Sequence, residues 1–317
     1  MLMFSQVLIK LLGLIYRLAI TNVKGFGDVG NGYYSAGYQV YAVLLIISSQ
    51  GIPGAVSKLV SNKVAKGKYN EAHRVFKVSM VVFGIIGFIA SLLLLLSANF
   101  VSSKILNVPD VSYVLKVLSP AIFFVCVSAV IRGYFAGLGT MKPTSVTQTL
   151  EQFLNCVLTI LFVYATVGKD TAIMAAAGNL SSTIAIVIAF IYIIIFYKKQ
   201  RPEILEDCKN QTVEMETKTT KQILKIIFAV SIPMTIGSLV AELNGTIDTL
   251  TVSNCIQKAF QGIESGKVAL EAKAMQLSGM VSKIETIIRL PLAINAAFCT
   301  ALVPAIAASL ARKDKAT

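Results

Sequence analysis

The chain has 317 residues, 55% hydrophobic and 14% charged, and its 29 Lys and Arg against 16 Asp and Glu leave a net charge of +13. Soluble domains carry about 25% charged residues, so a mean hydropathy of +0.72 excludes an ordinary water-soluble fold. The basic surplus sits in short connections beside apolar segments, which excludes a nucleic-acid surface and fits cytoplasmic loops of a membrane protein.

Residues 29–57, 78–103, 171–197 and 290–311 contain no Asp, Glu, Lys or Arg. Each run exceeds the roughly 20 residues that cross a bilayer as helix. In chain order, the pattern predicts about eight helices near 2–23, 33–64, 70–103, 111–138, 143–167, 171–198, 221–252 and 274–311, making an all-α multi-pass membrane protein. The first begins MLMFSQVLIKLLGLIYRLAIT, apolar from the start with Lys10 and Arg17 inside the run. A secretory signal would open with basic residues ahead of an unbroken apolar stretch, so this segment reads as a membrane helix. KGFGDVGNG, NVPD and GKD are turn chemistry between spans, and Pro143 suits the start of the fifth.

Several spans carry polar stripes. Gln6, Lys10, Gly13, Arg17 and Thr21 recur at intervals of three and four, which places them on one helix face. The fifth span repeats the pattern with Gln148, Glu151 or Gln152, Asn155 and Thr159, and the eighth with Ser278, Ser282, Glu285 and Arg289. In the seventh, SIPMTIGSLVAELNGTIDT aligns Ser231, Thr235, Ser238, Glu242, Gly245 and Thr249, with Asp248 near its outer end. Ionisable groups in membrane helices are costly and face a bundle interior or a water-filled cavity. Four striped helices therefore call for one common wet space.

Packing competes with that reading. Small and hydroxylated residues also let helices approach closely, and Gly133 and Gly137 are of this kind. Glu285 and Arg289 neutralise each other at i,i+4. Arg132, near the cytoplasmic edge, is expected to snorkel to lipid phosphates; Lys58 to Lys77 reads as a solvated loop that also holds His73, and Asp248 reads equally well as a surface residue.

Charge sets the orientation. The connections after the second, fourth and sixth spans, with the tail after the eighth, carry eighteen Lys and Arg, against eight on the opposite side. The N-terminus is thus expected in the cytoplasm. Residues 199–220 are polar and mixed in charge and read as a cytoplasmic linker between a six-helix lobe, 1–198, and a second lobe beginning at 221–317. IPGAVSKLV at 52–60 echoes VPAIAASLA at 303–311, as repeated transporter halves would. If the last two helices repeat the first two, about four more belong to the second lobe, and the chain reads as part of a larger protein. Five scattered cysteines without a CxxC pair imply no disulfide framework or metal site, and no phosphate-binding glycine loop or nucleophile constellation points to an enzyme.

YYSAGYQVYAVLLIISSQGIPGAVSKLVS (33–61), YNEAHRVFKVS (69–79), RGYFAGLGTMKPTSVTQTLEQ (132–152) and SIPMTIGSLVAELNGTIDTL (231–250) resemble the stage V sporulation protein B group. This is a polysaccharide transporter branch of the multidrug/oligosaccharidyl-lipid/polysaccharide flippase superfamily, related to lipid II flippases. The resemblance implies a two-lobed fold around a central cavity that flips undecaprenyl-pyrophosphate-linked sugars across the bacterial plasma membrane, spore cortex precursors among them. The stripes assign Lys10, Arg17, Glu151, Asn155, Glu242 and Arg289 to this cavity, and the resemblance adds that Gly13 to Arg17 matches the first-helix arginine pattern of lipid II flippases and that Arg289 matches an arginine on their eighth helix. Their second-helix arginine has no counterpart in LLIISSQ (44–50). Glu242 and Asp248 are the candidates for a coupling ion, Na+ or H+; no other cofactor is implied, and the partners are lipid-linked oligosaccharide and membrane lipids. The alternatives are a multidrug or cation antiporter of the same superfamily and a membrane scaffold that moves nothing.

Overall fold

The computed structural model describes residues 2–49, 51–209, 219–261 and 266–311, and their side chains except those of 2–11, 241, 242, 244, 246, 289, 290 and 292–311. These residues form α1 (Leu2–Thr21), α2 (Gly27–Ser49), α3 (Gly51–Val64), α4 (Tyr69–Phe100), α5 (Val111–Gly137), α6 (Lys142–Ala165), α7 (Thr171–Lys209), α8 (Thr220–Ala259) and α9 (Lys267–Ala311). No strand occurs among them.

The boundaries have local causes. Gly25 and Gly27, at φ of +86° and +52°, turn the chain from α1 into α2, a conformation that glycine adopts without strain. Two thirds of the KGFGDVGNG segment expected as turn, from Gly27 on, is therefore already helix, and α2 begins earlier than the pattern predicted. The span expected at 33–64 is helical on both sides of residue 50, as α2 and α3, and Gly27–Val64 forms one candidate membrane span. A π-helical turn, Val101–Ile105, extends α4 to the NVPD break. Pro143 opens α6, as expected. Thr219 and Gln222 form a reciprocal capping box at the start of α8. The main difference is α7, which continues through Pro202 to Lys209. Polar residues that read as linker extend the helix beyond membrane length, because Ile204 and Cys208 remain buried.

α2 is central, packing against α5, α7, α8 and α9. One apolar cluster gathers Tyr34, Tyr41, Leu115, Leu118, Ile122 and Met174; a second gathers Val56, Val60, Phe76, Ile131, Tyr134 and Ile193. Helix contacts are close where glycine permits. A Cβ on Gly133 would sit 2.8 Å from the Pro53 carbonyl oxygen, and one on Gly137 2.6 Å from Val60, so α5 seats directly on α3. At the other end of the molecule Gly32 and Gly279 seat α2 on α9, where Asn31 Nδ2 donates to the Gly279 carbonyl at 2.7 Å and Lys283 pairs with Asp28.

The exterior is apolar. On α6, Phe153, Val157, Leu161 and Tyr164 are exposed while Asn155 and Thr159 are buried; on α4, Phe88, Leu92 and Leu96 face outward. This inside-out amphipathicity is what a bilayer requires. Among the described residues six helical segments are long and apolar enough to cross a membrane, and the protein is a multi-pass membrane protein. Two expectations for the loop between α3 and α4 are corrected. Glu71 is buried and ion-paired to Lys63 and Lys68. His73 is buried within α4, its ring stacked on Phe76 and its Nδ1 3.4 Å from Tyr134 Oη.

Candidate ligand cavities along α2

Three cavities adjoin α2. The largest, about 500 Å3, lies among α2, α3, α5, α6 and α7, towards the end that carries the α5–α6 connection. Its lining includes the polar residues Arg132, Thr144, Gln148, Glu151, Gln152 and Asn155, together with Tyr38 and Tyr41. The second, about 250 Å3, lies among α1, α2 and α9 and is lined by Arg17, Ser35, Gln39, Ser282, Glu285 and Thr286. The third, about 40 Å3, lies among α2, α8 and α9 and includes Asp248, Thr249 and Glu285. Tyr38 and Leu45 belong to the walls of both larger cavities, and Ser35, Gln39, Ser282 and Glu285 to those of the second and third. The described polar residues thus line adjoining spaces along α2.

Arg17 is half-buried and turned away from the exposed Ile15 and Leu18 on its own helix. Its Nη1 donates to Ser282 Oγ at 2.8 Å and to Thr286 Oγ1 at 2.7 Å, and its guanidinium lies 5.8 Å from the Tyr34 ring. These contacts hold the charge at the α1–α9 contact beside the second cavity. Glu151 and Asn155 meet at the first cavity. Asn155 is also structural: its Oδ1 accepts from Thr159, Ser181 and Ser182, each at 3.0 Å, which ties α6 to α7. Asp248 is exposed and walls the third cavity. The side chains of Lys10, Glu242 and Arg289 lie outside the described residues.

On α8 the packing explanation accounts for much of the stripe. Ser231 and Gly245 are buried, and a Cβ on Gly51 of α3 would meet the Ser231 carbonyl and Thr235 Oγ1. Arg132 was expected to snorkel to lipid but faces the first cavity with Glu151. The available signal was Ala129, Arg132 and Ala136, one charge flanked on its own face by small residues. Tyr38 and Tyr41 escaped notice because aromatic residues at helical spacing usually fill cores.

The sequence matches the model of the family described as polysaccharide biosynthesis protein over residues 1–310. The chain belongs to this family. Among curated relatives, it is 26% identical to stage V sporulation protein B of Bacillus subtilis (strain 168) over 311 residues, 96% of this chain and 56% of that protein. It is also 26% identical to the lipid II flippase MurJ of the same organism, over 95% of this chain and 55% of that one. The family member described here thus spans little more than half the length of these relatives. Solved structures with the same fold include a MOP superfamily transporter from Pyrococcus furiosus, at a TM-score of 0.63 and 16% identity over 98% of this chain and 69% of that one. An outward-facing MATE family transporter gives a TM-score of 0.63 and 17% identity over 98% and 70%.

Proposed function

We propose that the protein flips undecaprenyl-pyrophosphate-linked sugars, precursors of peptidoglycan or another polysaccharide, from the inner to the outer leaflet of the bacterial plasma membrane by alternating access. The observation that carries this reading is Arg17, a membrane-embedded guanidinium oriented by Ser282 and Thr286 beside a polar cavity. A guanidinium binds phosphate oxygens through a planar fork, whereas an ammonium acts as a point charge. The lipid tail stays in the bilayer while the headgroup enters between α1, α2 and α9. Membership of the polysaccharide biosynthesis family and likeness to a lipid II flippase over 95% of the chain support this substrate class.

The N-terminus lies in the cytoplasm, as the basic connections favour. Residues 1–198 act as one lobe, and 221–317 open a second that rocks against it. A coupling cation, Na+ or H+, binds at Asp248 in the space shared with Glu285, with Glu242 as the further acidic group on α8. A second reading, export of organic cations, is favoured by Glu151, Tyr38 and Tyr41 lining one cavity, a carboxylate and aromatic rings that a cation would accept.

The test is flipping of a fluorescent lipid-linked precursor in vesicles holding the native gene product. The rate should exceed that of protein-free vesicles. Arg17→Ala should lower it about tenfold or more, since hydrogen bonds to a charged group contribute roughly 1.5–3 kcal/mol, and Arg17→Lys should fall between. A precursor that stays in its leaflet while an organic cation is exported would replace this reading with the second.

A further inference from the structure

The outer end of α8 is fastened to the turn between α4 and α5. Asn107, in that turn, is the one non-glycine residue with positive φ among those described, at +55°. Asparagine enters this left-handed region more readily than most side chains, and here its amide and its carbonyl both meet α8. Its Nδ2 donates to Asn254 Oδ1 at 2.5 Å, and its carbonyl accepts from Gln257 Nε2 at 3.3 Å. Asn254 Nδ2 in turn donates to the Ile105 carbonyl at 3.1 Å, and to the Leu250 carbonyl of its own helix at 2.8 Å, which orients the amide. Ile105 ends the π-helical turn, a departure from α geometry that is frequent at functional sites. Beneath these polar groups, Leu250 and Ile256 pack on the apolar cluster that contains Leu106 and Val108.

Three hydrogen bonds thus join residues 105 and 107 to residues 254 and 257, and their chemistry suits release. Asn107 is exposed, and Asn254 and Gln257 are half-buried. Water can replace each partner as the groups part, so no buried donor is stranded and each bond holds only weakly on balance. Further in, α8 is held by close packing: a Cβ on Gly51 would lie 2.3 Å from the Ser231 carbonyl oxygen, and one on Gly54 2.5 Å from Met234. Between these two contacts α8 carries Gly245, Asp248, Thr249 and Val252, which line the third cavity. On the alternating-access reading and its orientation, we infer that the α4–α5 turn is a releasable latch for α8. While Asn254 and Gln257 sit on it, the third cavity is shut towards the outside; when they leave, that cavity, with Asp248 on its wall, opens to the outer aqueous phase.

The experiment follows labelling of Ser35→Cys, on the wall of the third cavity, in a cysteine-free version of the native gene product. A membrane-impermeant thiol reagent is added to right-side-out vesicles. Asn254→Ala removes two of the bonds to the turn and should raise the labelling rate about tenfold. Asn107→Gly keeps the left-handed backbone without strain and removes one bond, so it should raise the rate about fivefold in a protein that still folds. Lys258→Ala, exposed on the last turn of α8, should leave it unchanged. An unchanged rate in Asn254→Ala overturns the inference, as does an equal rise in Lys258→Ala, which would mean that α8 is loosened by any change at its end. In a second arm, Asn107→Cys and Asn254→Cys are joined by a short cleavable thiol crosslinker. Flipping of a fluorescent lipid-linked precursor should stop, and return when the linker is cleaved; flipping that continues with the linker in place overturns the latch. If the native protein flips no precursor while outside labelling still follows Asn254 and Asn107, the flippase reading falls and the latch stands.

Discussion

A single arginine in a membrane helix is expensive unless its neighbours take over the role of water, and Arg17 shows how that is done with ordinary residues. Two hydroxyls one helical turn apart on α9 accept from one guanidinium nitrogen, while the Tyr34 ring covers the other side. The charge was legible in the sequence because it interrupted an apolar run at a stripe position. Its partners were not, since nothing local connects residue 17 to residue 282. Arg132 shows the opposite failure: its position near a helix end made lipid contact the default, and only the packing of α5 on α3 and α6 turns it inward. That packing depends on glycine, as does the α2–α9 contact. A Cβ at Gly32 would lie 2.7 Å from the Met275 carbonyl carbon, a backbone atom that cannot swing away. Gly32→Ala should therefore destabilise the protein by about 1–3 kcal/mol through forced backbone movement, seen as a lower midpoint of thermal unfolding in detergent. An unchanged midpoint would mean that α2 and α9 are not in this contact.

At the scale of the helix, α6 separates lipid from cavity by sequence period alone. Gln148, Gln152 and Asn155 line the first cavity, whereas Phe153, Val157 and Leu161 are exposed on the outer face. In a cysteine-free background, Gln148→Cys and Gln152→Cys should react with a membrane-impermeant thiol reagent. Phe153→Cys and Val157→Cys should not, because a thiol in hydrocarbon is not ionised to the reactive thiolate. Equal labelling of both pairs would contradict the orientation of α6. Such stripes are readable because the helical repeat is local. The ends of helices were harder. The pattern missed the start of α2, where GDVGNG is rich in turn-forming residues yet helical. It also missed the extension of α7, where charged residues continue a helix beyond membrane thickness. In both cases tertiary burial, of Tyr33 and Tyr34 in one and of Ile204 and Cys208 in the other, overrides local propensity.

At the scale of the molecule, composition identified a multi-pass membrane protein, and periodicity showed which faces avoid lipid. It could not show that these faces divide among adjoining cavities, because that depends on α2 lying between α5 and α9. The account stands on polar faces from α1, α2, α6, α8 and α9 forming one track past α2 that takes a lipid-linked sugar. The most direct test is photocrosslinking of a lipid-linked precursor carrying a photoreactive group on its sugar, with the modified residues mapped by mass spectrometry. Crosslinks are expected on the cavity walls, at Tyr38, Gln148, Gln152 and Ser282. Crosslinks confined to the lipid-facing belt, at residues such as Leu92, Val157 and Ile191, would contradict it.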